Sequence, residues 1–269
     1  MPDLRFDKKA AVPAYRSAQL LAFPRLHHGF FTRLGGVSQG VFESLNFRVS
    51  GGDSRELVLR NYRLAAQSLG ADETNVVHTV QVHSDRIEVA RPVTQMTAAG
   101  DGTGADALIT AEPGVVLTGF YADCQLILLY DHRARVCAVV HSGWRGTAQE
   151  ILPKTIRRMV EEFGCKPGDL VAAVGPSICR SCFETDDDVP QALTAAYGDS
   201  ISDYMYREGE KWHVDLKNIT YMALLREGLL PMNIDISNQC TRCGDKELFW
   251  SHRRQGDQRG VHAGMIVME

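Results

Sequence analysis

No stretch of this sequence holds the roughly 20 consecutive apolar residues that a helix needs to cross a bilayer. The N-terminal segment from Met1 to Leu26 carries basic residues but no continuous apolar run of the secretory kind. A surplus of positive charge is missing too: 29 Lys and Arg stand against 33 Asp and Glu, a net charge of −4. Nucleic acids and anionic membranes recruit basic surfaces, so neither is the expected partner. There is no internal repeat, no low-complexity tract and no charged tail. The glycine-rich loops at Gly35-Gly36, Gly51-Gly52 and Gly100 to Gly104 are too short to be linkers. One domain over residues 1–269 is the simplest division, and such a chain can bury a large core without cross-links. Its seven cysteines are odd in number and scattered, reading as core thiols or ligands in a reducing compartment rather than a disulfide framework. The expected location is cytoplasmic.

Helices are predicted in three places. Residues 54–69 set Leu57, Leu64, Ala65 and Leu69 near one face, with Gly70 as the stop. Thr147 and Glu150 have capping-box spacing ahead of Ile151, Ile156, Met159, Val160 and Phe163, and Pro153 within that stretch predicts a kink or a later start. Asp215 has the position of a cap for residues 216–227. Strands are predicted over 76–82, 86–89, 115–120, 126–130, 136–140 and 170–174. The runs 126–130 and 136–140 are apolar on both faces and predict a sheet covered on both sides. The mixture implies an α/β or α+β fold with a mixed sheet.

The short Asp131–Ala134 connection favours an antiparallel hairpin. A turn centred between His132 and Arg133 would set Cys124 opposite His141, their Cβ atoms roughly 5 Å apart, close enough to share a metal ion. His83 follows the end of the 76–82 strand. Three ligands from separate segments leave one tetrahedral position open, the mark of a catalytic zinc site. Taken singly, each is more commonly a core thiol or a satisfied histidine. The surroundings are polar, however: His141-Ser142-Gly143-Trp144-Arg145-Gly146 puts an arginine at a helix start, and Phe249-Trp250-Ser251-His252-Arg253-Arg254 sets aromatic rings beside cations. Gly36-Val37-Ser38-Gln39-Gly40 fits G-x-S-x-G without a clear helix after it, and Gly100 to Gly104 precedes an apolar strand instead of following one. Cys179-x-x-Cys182 and Cys240-x-x-Cys243 would make a four-cysteine site, but the 57-residue gap is far from ribbon spacing.

Taken in order, several segments resemble the laccase-domain family, also called multicopper polyphenol oxidase-like proteins or purine nucleoside phosphorylases. They are His28-Gly29-Phe30-Phe31-Thr32-Arg33, Gly35-Gly36-Val37-Ser38, Ser44-Leu45-Asn46-Phe47, Gln81-Val82-His83, Gly104-Ala105-Asp106-Ala107-Leu108-Ile109-Thr110, Ala122-Asp123-Cys124, His141 to Gly146, Gly175-Pro176-Ser177-Ile178 and Ser251-His252-Arg253-Arg254. The resemblance covers roughly residues 25–268 and leaves 1–24 as an N-terminal extension. It implies a mixed-sheet α-β-β-α sandwich and zinc, or copper, held by His83, Cys124 and His141. It also implies phosphorolysis of adenosine, inosine and 5′-methylthioadenosine, with adenosine deaminase activity beside it. Arg33, Asn46, Arg145 and Arg253 are the candidate substrate residues, the partners are a purine nucleoside and phosphate, and a monomer is expected. The chain departs from the family pattern at Tyr121, His252 and Gln255. Four-copper chemistry needs about eight further histidines, usually in H-x-H pairs, whereas this chain has nine in all and no H-x-H. Two other readings stay open: a cysteine-dependent hydrolase with Cys124 as nucleophile, such as one editing peptidoglycan precursors, and a non-enzymatic metal-binding domain.

Overall fold

The computed structural model describes residues 3–93, 95–98 and 104–269, so residues 100–103 of the glycine-rich run lie outside the described chain. Two large sheets face each other. The first has seven strands in the order Arg5–Asp7, Ala14–Arg16, Leu26–Phe31, His262–Met268, Val116–Tyr121, Val76–His78 and Thr97–Ala98. The second has six, in the order Ile234–Ile236, Leu170–Val174, Gln125–Asp131, Val136–Ser142, Ala107–Thr110 and Ile87–Val89. Both mix parallel and antiparallel pairs. The first two strands lie within the 1–24 stretch and pair onto Leu26–Phe31 at the edge of the first sheet.

Period-two alternation builds the layers. Leu126, Leu128, Cys137 and Val139 point into the gap between the sheets, where they meet Phe30, Leu117 and Ile266. Their neighbours Ile127, Leu129, Ala138 and Val140 point the other way, onto helices α3 (Ile151–Phe163) and α5 (Leu216–Arg226). On the far side, Val116, Met265 and Val267 pack on α1 (Arg55–Ser68). This is the expected α-β-β-α sandwich, and both apolar strands are covered on both faces. A three-stranded sheet of Glu184–Thr185, Lys211–Val214 and Met205–Glu208 forms a satellite core with α4 (Asp188–Tyr197).

Helix α1 turns its Val58, Asn61/Tyr62, Ala65/Ala66 and Leu69 stripe inward, leaving the expected Leu57 and Leu64 half-buried at its margins. Gly70 follows it with φ of 71°. The capping box does not form. Thr147 lies inside a short helix, α2 (Trp144–Ala148), where its hydroxyl donates to the Gly143 carbonyl, and Glu150 breaks the chain in the left-handed region at φ of 56°. Helix α3 therefore starts late, at Ile151, which puts Pro153 in the first turn where no intrahelical N–H is needed. Asp215 does cap α5, accepting from the Asn218 N–H. The G-x-S-x-G segment makes no nucleophile elbow: Ser38 is buried, bridges to Ser44 and accepts from Asn61.

The hairpin carries one register correction. Its turn spans 132–135, with Asp131 accepting from the Arg133 and Ala134 N–H groups and Arg135 at φ of 56°. Partner numbers therefore sum to 267, and His141 faces Leu126. A shift of two conserves the face, so Cys124, just before the strand, still shares the side of His141.

Candidate active site

His83, Cys124 and His141 meet at one end of the sandwich, their ligand atoms all within 4.8 Å of one another. His141, the last but one residue of its strand, points between the sheets and is 3% exposed. Cys124 follows Asp123, which has φ of 93°. The strand expected to carry His83 stops at His78, and His83 instead sits in a loop at φ of 59°. Two non-glycine residues in the left-handed region beside a site indicate backbone held against its preference by its surroundings. The surroundings of His83 are the fully buried Asp106 carboxylate, which accepts from the backbone N–H groups of Val82, His83 and Ser84 and from the Ser84 hydroxyl.

The same carboxylate accepts from His141 Nδ1 at 2.8 Å, leaving Nε2 as the free ring nitrogen. Cys124 Sγ lies 3.8 Å from His83 Nε2, and the two histidine rings cross at 84° with centroids 5.0 Å apart. Burial raises the Cys124 thiol, but hydrogen bonds with His141 and His83 outweigh it and bring the group down to about 6. Burial lowers His141, and its bonds to Asp106 and Cys124 outweigh that, raising it to about 9. Thiolate and neutral imidazole are the donor forms a metal needs, and a carboxylate behind the imidazole is the usual support of a ligating histidine. The donor set fits zinc or copper.

Two cavities share this cluster. One of about 930 Å³ is lined by Arg48, Arg55, Arg259, Tyr62, His78 and Phe120. The other, of about 410 Å³, is lined by Trp144, Arg145, Ile178, Phe183, His252 and Arg253. His83, Ala122, Cys124 and His252 border both. The family model described as "Multi-copper polyphenol oxidoreductase laccase" matches residues 27–269. The chain belongs to this family. It is 31% identical over 251 residues, 90% of this chain and 88% of the other, to a protein of Bacillus subtilis named purine nucleoside phosphorylase YlmD. It is 34% identical over 240 residues, 86% of this chain and 90% of the other, to a protein of an unknown prokaryotic organism named adenosine deaminase RL5. The crystal structure of YlmD from Geobacillus stearothermophilus superposes with a TM-score of 0.88 at 26% identity, covering 100% of both chains.

In this laccase-domain chain the expected substrate arginines divide. Arg145 and Arg253 line the smaller cavity, Arg145 lying over Trp144 and Arg253 over Phe183, with the Arg253 N–H donating to Asp123. Arg33 and Asn46 line neither cavity. Arg33 stacks 3.9 Å over the Trp250 ring and donates to the Lys246 carbonyl, and Asn46 is fully buried, bonded to Arg48, Asp53 and Val261. Both brace loops here: Asn46 through its bonds to the Arg48 and Val261 backbone and the Asp53 carboxylate, and Arg33 through the Trp250 ring and the Lys246 carbonyl. Sequence reasoning missed Arg48, Arg259 and the role of Asp106. Asp106 lies in the Gly104–Thr110 segment, an acid amid apolar residues that could have signalled its role; the two arginines sit in loops without a pattern. The four cysteines set aside for their spacing also come together, their Sγ atoms within 4.8 Å of one another. Among the described residues no third cluster of His, Cys, Asp or Glu has such geometry.

Proposed function

We propose that the protein is a metal-dependent purine nucleoside phosphorylase acting on adenosine, inosine and 5′-methylthioadenosine, with adenosine deamination as a side activity. The observation that carries this reading is a thiolate–imidazole cluster opening onto a cavity lined by both aromatic rings and arginines. Phe120 and Tyr62 offer a purine ring the flat apolar surface it stacks on. Arg48 and Arg259 offer phosphate its counter-charges, and Arg259 Nε is buried without a hydrogen-bond partner among the described residues, a donor waiting for an anion. Burial and the neighbouring Arg48 charge lower Arg259, a cost that an anion between the two would remove.

In phosphorolysis a phosphate oxygen attacks the anomeric carbon as the base departs, through a transition state with oxocarbenium character. The arginines hold the nucleophile in line, and the cavity walls exclude the water that would hydrolyse the same bond. His83, Cys124 and His141 would hold the metal, whose chemistry when bound is to polarise an oxygen ligand or, for deamination, to activate water. Asp106 fixes the ring of His141 and the backbone of His83. The test is a panel assay of adenosine, inosine and 5′-methylthioadenosine with and without phosphate. Pentose 1-phosphate should appear only with phosphate, and Arg259→Ala should raise the phosphate KM about 10- to 100-fold, from ~1.5–3 kcal/mol per hydrogen bond to a charged group. Equal base release in phosphate-free buffer would replace phosphorolysis with hydrolysis.

A second reading has its own observation. The lowered Cys124 thiol beside His141 and Asp106 is also the arrangement of a cysteine nucleophile, its base and the base's orienting acid. Iodoacetamide separates the two. A ligand is shielded until a chelator strips the metal, and activity falls with metal content. A nucleophile is labelled at once in the metal-loaded protein and works without the metal.

A further inference from the structure

The second cluster lies away from the triad and is built from two loops. Cys179 precedes the turn Arg180–Cys182 and Cys182 ends it, while Cys240 lies in the bridge to Ser177 and Cys243 ends the turn that follows. That bridge is the tertiary contact that cancels the 57-residue separation in sequence. Cys179 Sγ and Cys243 Sγ are 3.8 Å apart. A sulfur–sulfur bond is about 2.05 Å, so this is no disulfide. Four sulfurs placed about 2.3 Å from a central zinc, at the corners of a tetrahedron, are separated by about 3.8 Å along each edge.

The surroundings are those of thiolates. Cys240 Sγ accepts two backbone N–H groups, from Cys179 at 3.3 Å and from Cys243 at 3.4 Å. Donors of this kind steady a metal-bound sulfur and disperse its charge. Gly244 closes the turn, and a Cβ there would lie 2.3 Å from the Cys240 carbonyl oxygen, so the tight wrap of Cys240-Thr241-Arg242-Cys243-Gly244 requires glycine. Two cations face the cluster. Arg242 bonds Cys182, and the Lys217 ammonium, anchored by the Ser237 and Gln239 carbonyls at 2.7 Å, lies beside Cys240 and Cys179. Four thiolates around a divalent ion carry a formal charge of minus two, which these two cations match.

We propose that Cys179, Cys182, Cys240 and Cys243 bind one structural zinc ion that clamps together two walls of the smaller cavity. Four protein ligands leave no open position, so the site is structural. The clamped loops lead directly to the cavity. One contributes Ile178 and Phe183, and the other runs on to His252 and Arg253. Both converge on Asp123, the residue before Cys124. Its carbonyl accepts from the Ile178 N–H, and its carboxylate accepts from the Thr241 and Ser251 hydroxyls and the Arg253 N–H. The clamp thus holds the backbone that presents Cys124.

The proposal is independent of the triad's function, and the experiment keeps them apart. His83→Ala protein, purified under reducing conditions without added metal, should retain about one equivalent of zinc by elemental analysis. Cys243→Ser and Cys182→Ser should each lose that equivalent. Cobalt loaded into the His83→Ala protein should give the intense visible absorption of a tetrahedral tetrathiolate, absent from a His83→Ala/Cys243→Ser double variant. Where the cysteine variants fail to fold, a thiol count on folded His83→Ala protein decides: four cysteines should stay unreactive until a chelator is added. Zinc-free His83→Ala protein with these thiols immediately reactive would overturn the proposal. So would disulfide-linked peptides from the reduced preparation, or iron in place of zinc.

Discussion

Asp106 ties together two histidines of the cluster, His141 from a strand and His83 from a loop. Its Oδ1 receives His141 Nδ1 and the His83 N–H, and its Oδ2 receives the Val82 and Ser84 N–H groups and the Ser84 hydroxyl. Asparagine has the same outline but no charge, and its amide nitrogen would turn a donor toward other donors. Asp106→Asn should therefore weaken metal binding about 10- to 100-fold, the usual scale for a lost supporting carboxylate. It should also raise the midpoint of Cys124 alkylation in the stripped protein, because His141 loses the partner that keeps it protonated. A metal-competition titration gives the first number and a pH series of iodoacetamide rates the second. Unchanged affinity would mean that Asp106 only shapes the loop. At this scale residue type did not suffice: His83, Cys124 and His141 stood out through the hairpin pairing, their polar surroundings and the family resemblance, and the fold brings their ligand atoms within 4.8 Å of one another. Arg33 and Arg259 were not separable, since an arginine's sequence context does not say whether its guanidinium meets Trp250 or an open cavity.

Two glycines, one before a helix and one inside a strand, separate the site from the scaffold. Gly143 precedes α2 with φ of −72° and ψ of 178°, a conformation any residue adopts, yet a Cβ there would lie 2.9 Å from Cys124 Sγ and 3.1 Å from His83 Cδ2. Gly264 pairs with Gly119 across adjacent strands, and a Cβ on Gly264 would lie 2.4 Å from Leu126 Cδ2 in the gap between the sheets. Gly143→Ala should abolish tight metal binding at the triad with little change in melting temperature. Gly264→Ala should cost roughly 1–3 kcal/mol of stability by overpacking while leaving triad metal content near wild type. Denaturant titration and elemental analysis of the two variants would show the dissociation; parallel loss of both properties in Gly143→Ala would mean the site and the fold are one unit. Element identity was readable for α1, α5 and the 126–142 hairpin, where periodicity was long. The Thr147–Glu150 box was misread because the spacing is local, while the break at Glu150 follows from packing α2 beside α4 and α3 on the sheet.

Across the whole molecule, two fully buried histidines outside the candidate cluster contribute to the acid limit. His28 Nε2 accepts from the Ser17 N–H at 2.8 Å and His262 Nε2 from the Trp250 N–H at 2.7 Å, so both rings are held neutral. Burial pulls each down to about 3. Their folded values lie below the unfolded value near 6.5, so the unfolded chain binds more protons as pH falls. Stability is fully present above about pH 7 and is lost below about 6, at ~1.4 kcal/mol per pH unit for each group. The melting temperature should therefore fall steadily from pH 7 to pH 5. His28→Gln, which keeps an acceptor but cannot titrate, should flatten that slope even if it lowers stability at pH 7. An unchanged slope would place the acid sensitivity elsewhere.

The sequence by itself determined that the central strands are covered on both faces, and it supplied the thiol and two imidazoles that the fold gathers into one cluster. Runs apolar on both faces can only be buried between covering layers, and thiol and imidazole can serve as ligands by their own chemistry. The mixed order of strands within each sheet was decided by tertiary structure, because pairings between strands distant along the chain leave no local trace. The hairpin register turned on the Asp131 side chain folding back over the turn, a contact that shifts it by two residues without altering the apolar pattern. Tertiary structure alone also joined Cys179 and Cys182 to Cys240 and Cys243: spacing argued against them, and a single bridge at Ser177 and Cys240 overrides spacing because ligands need proximity in space.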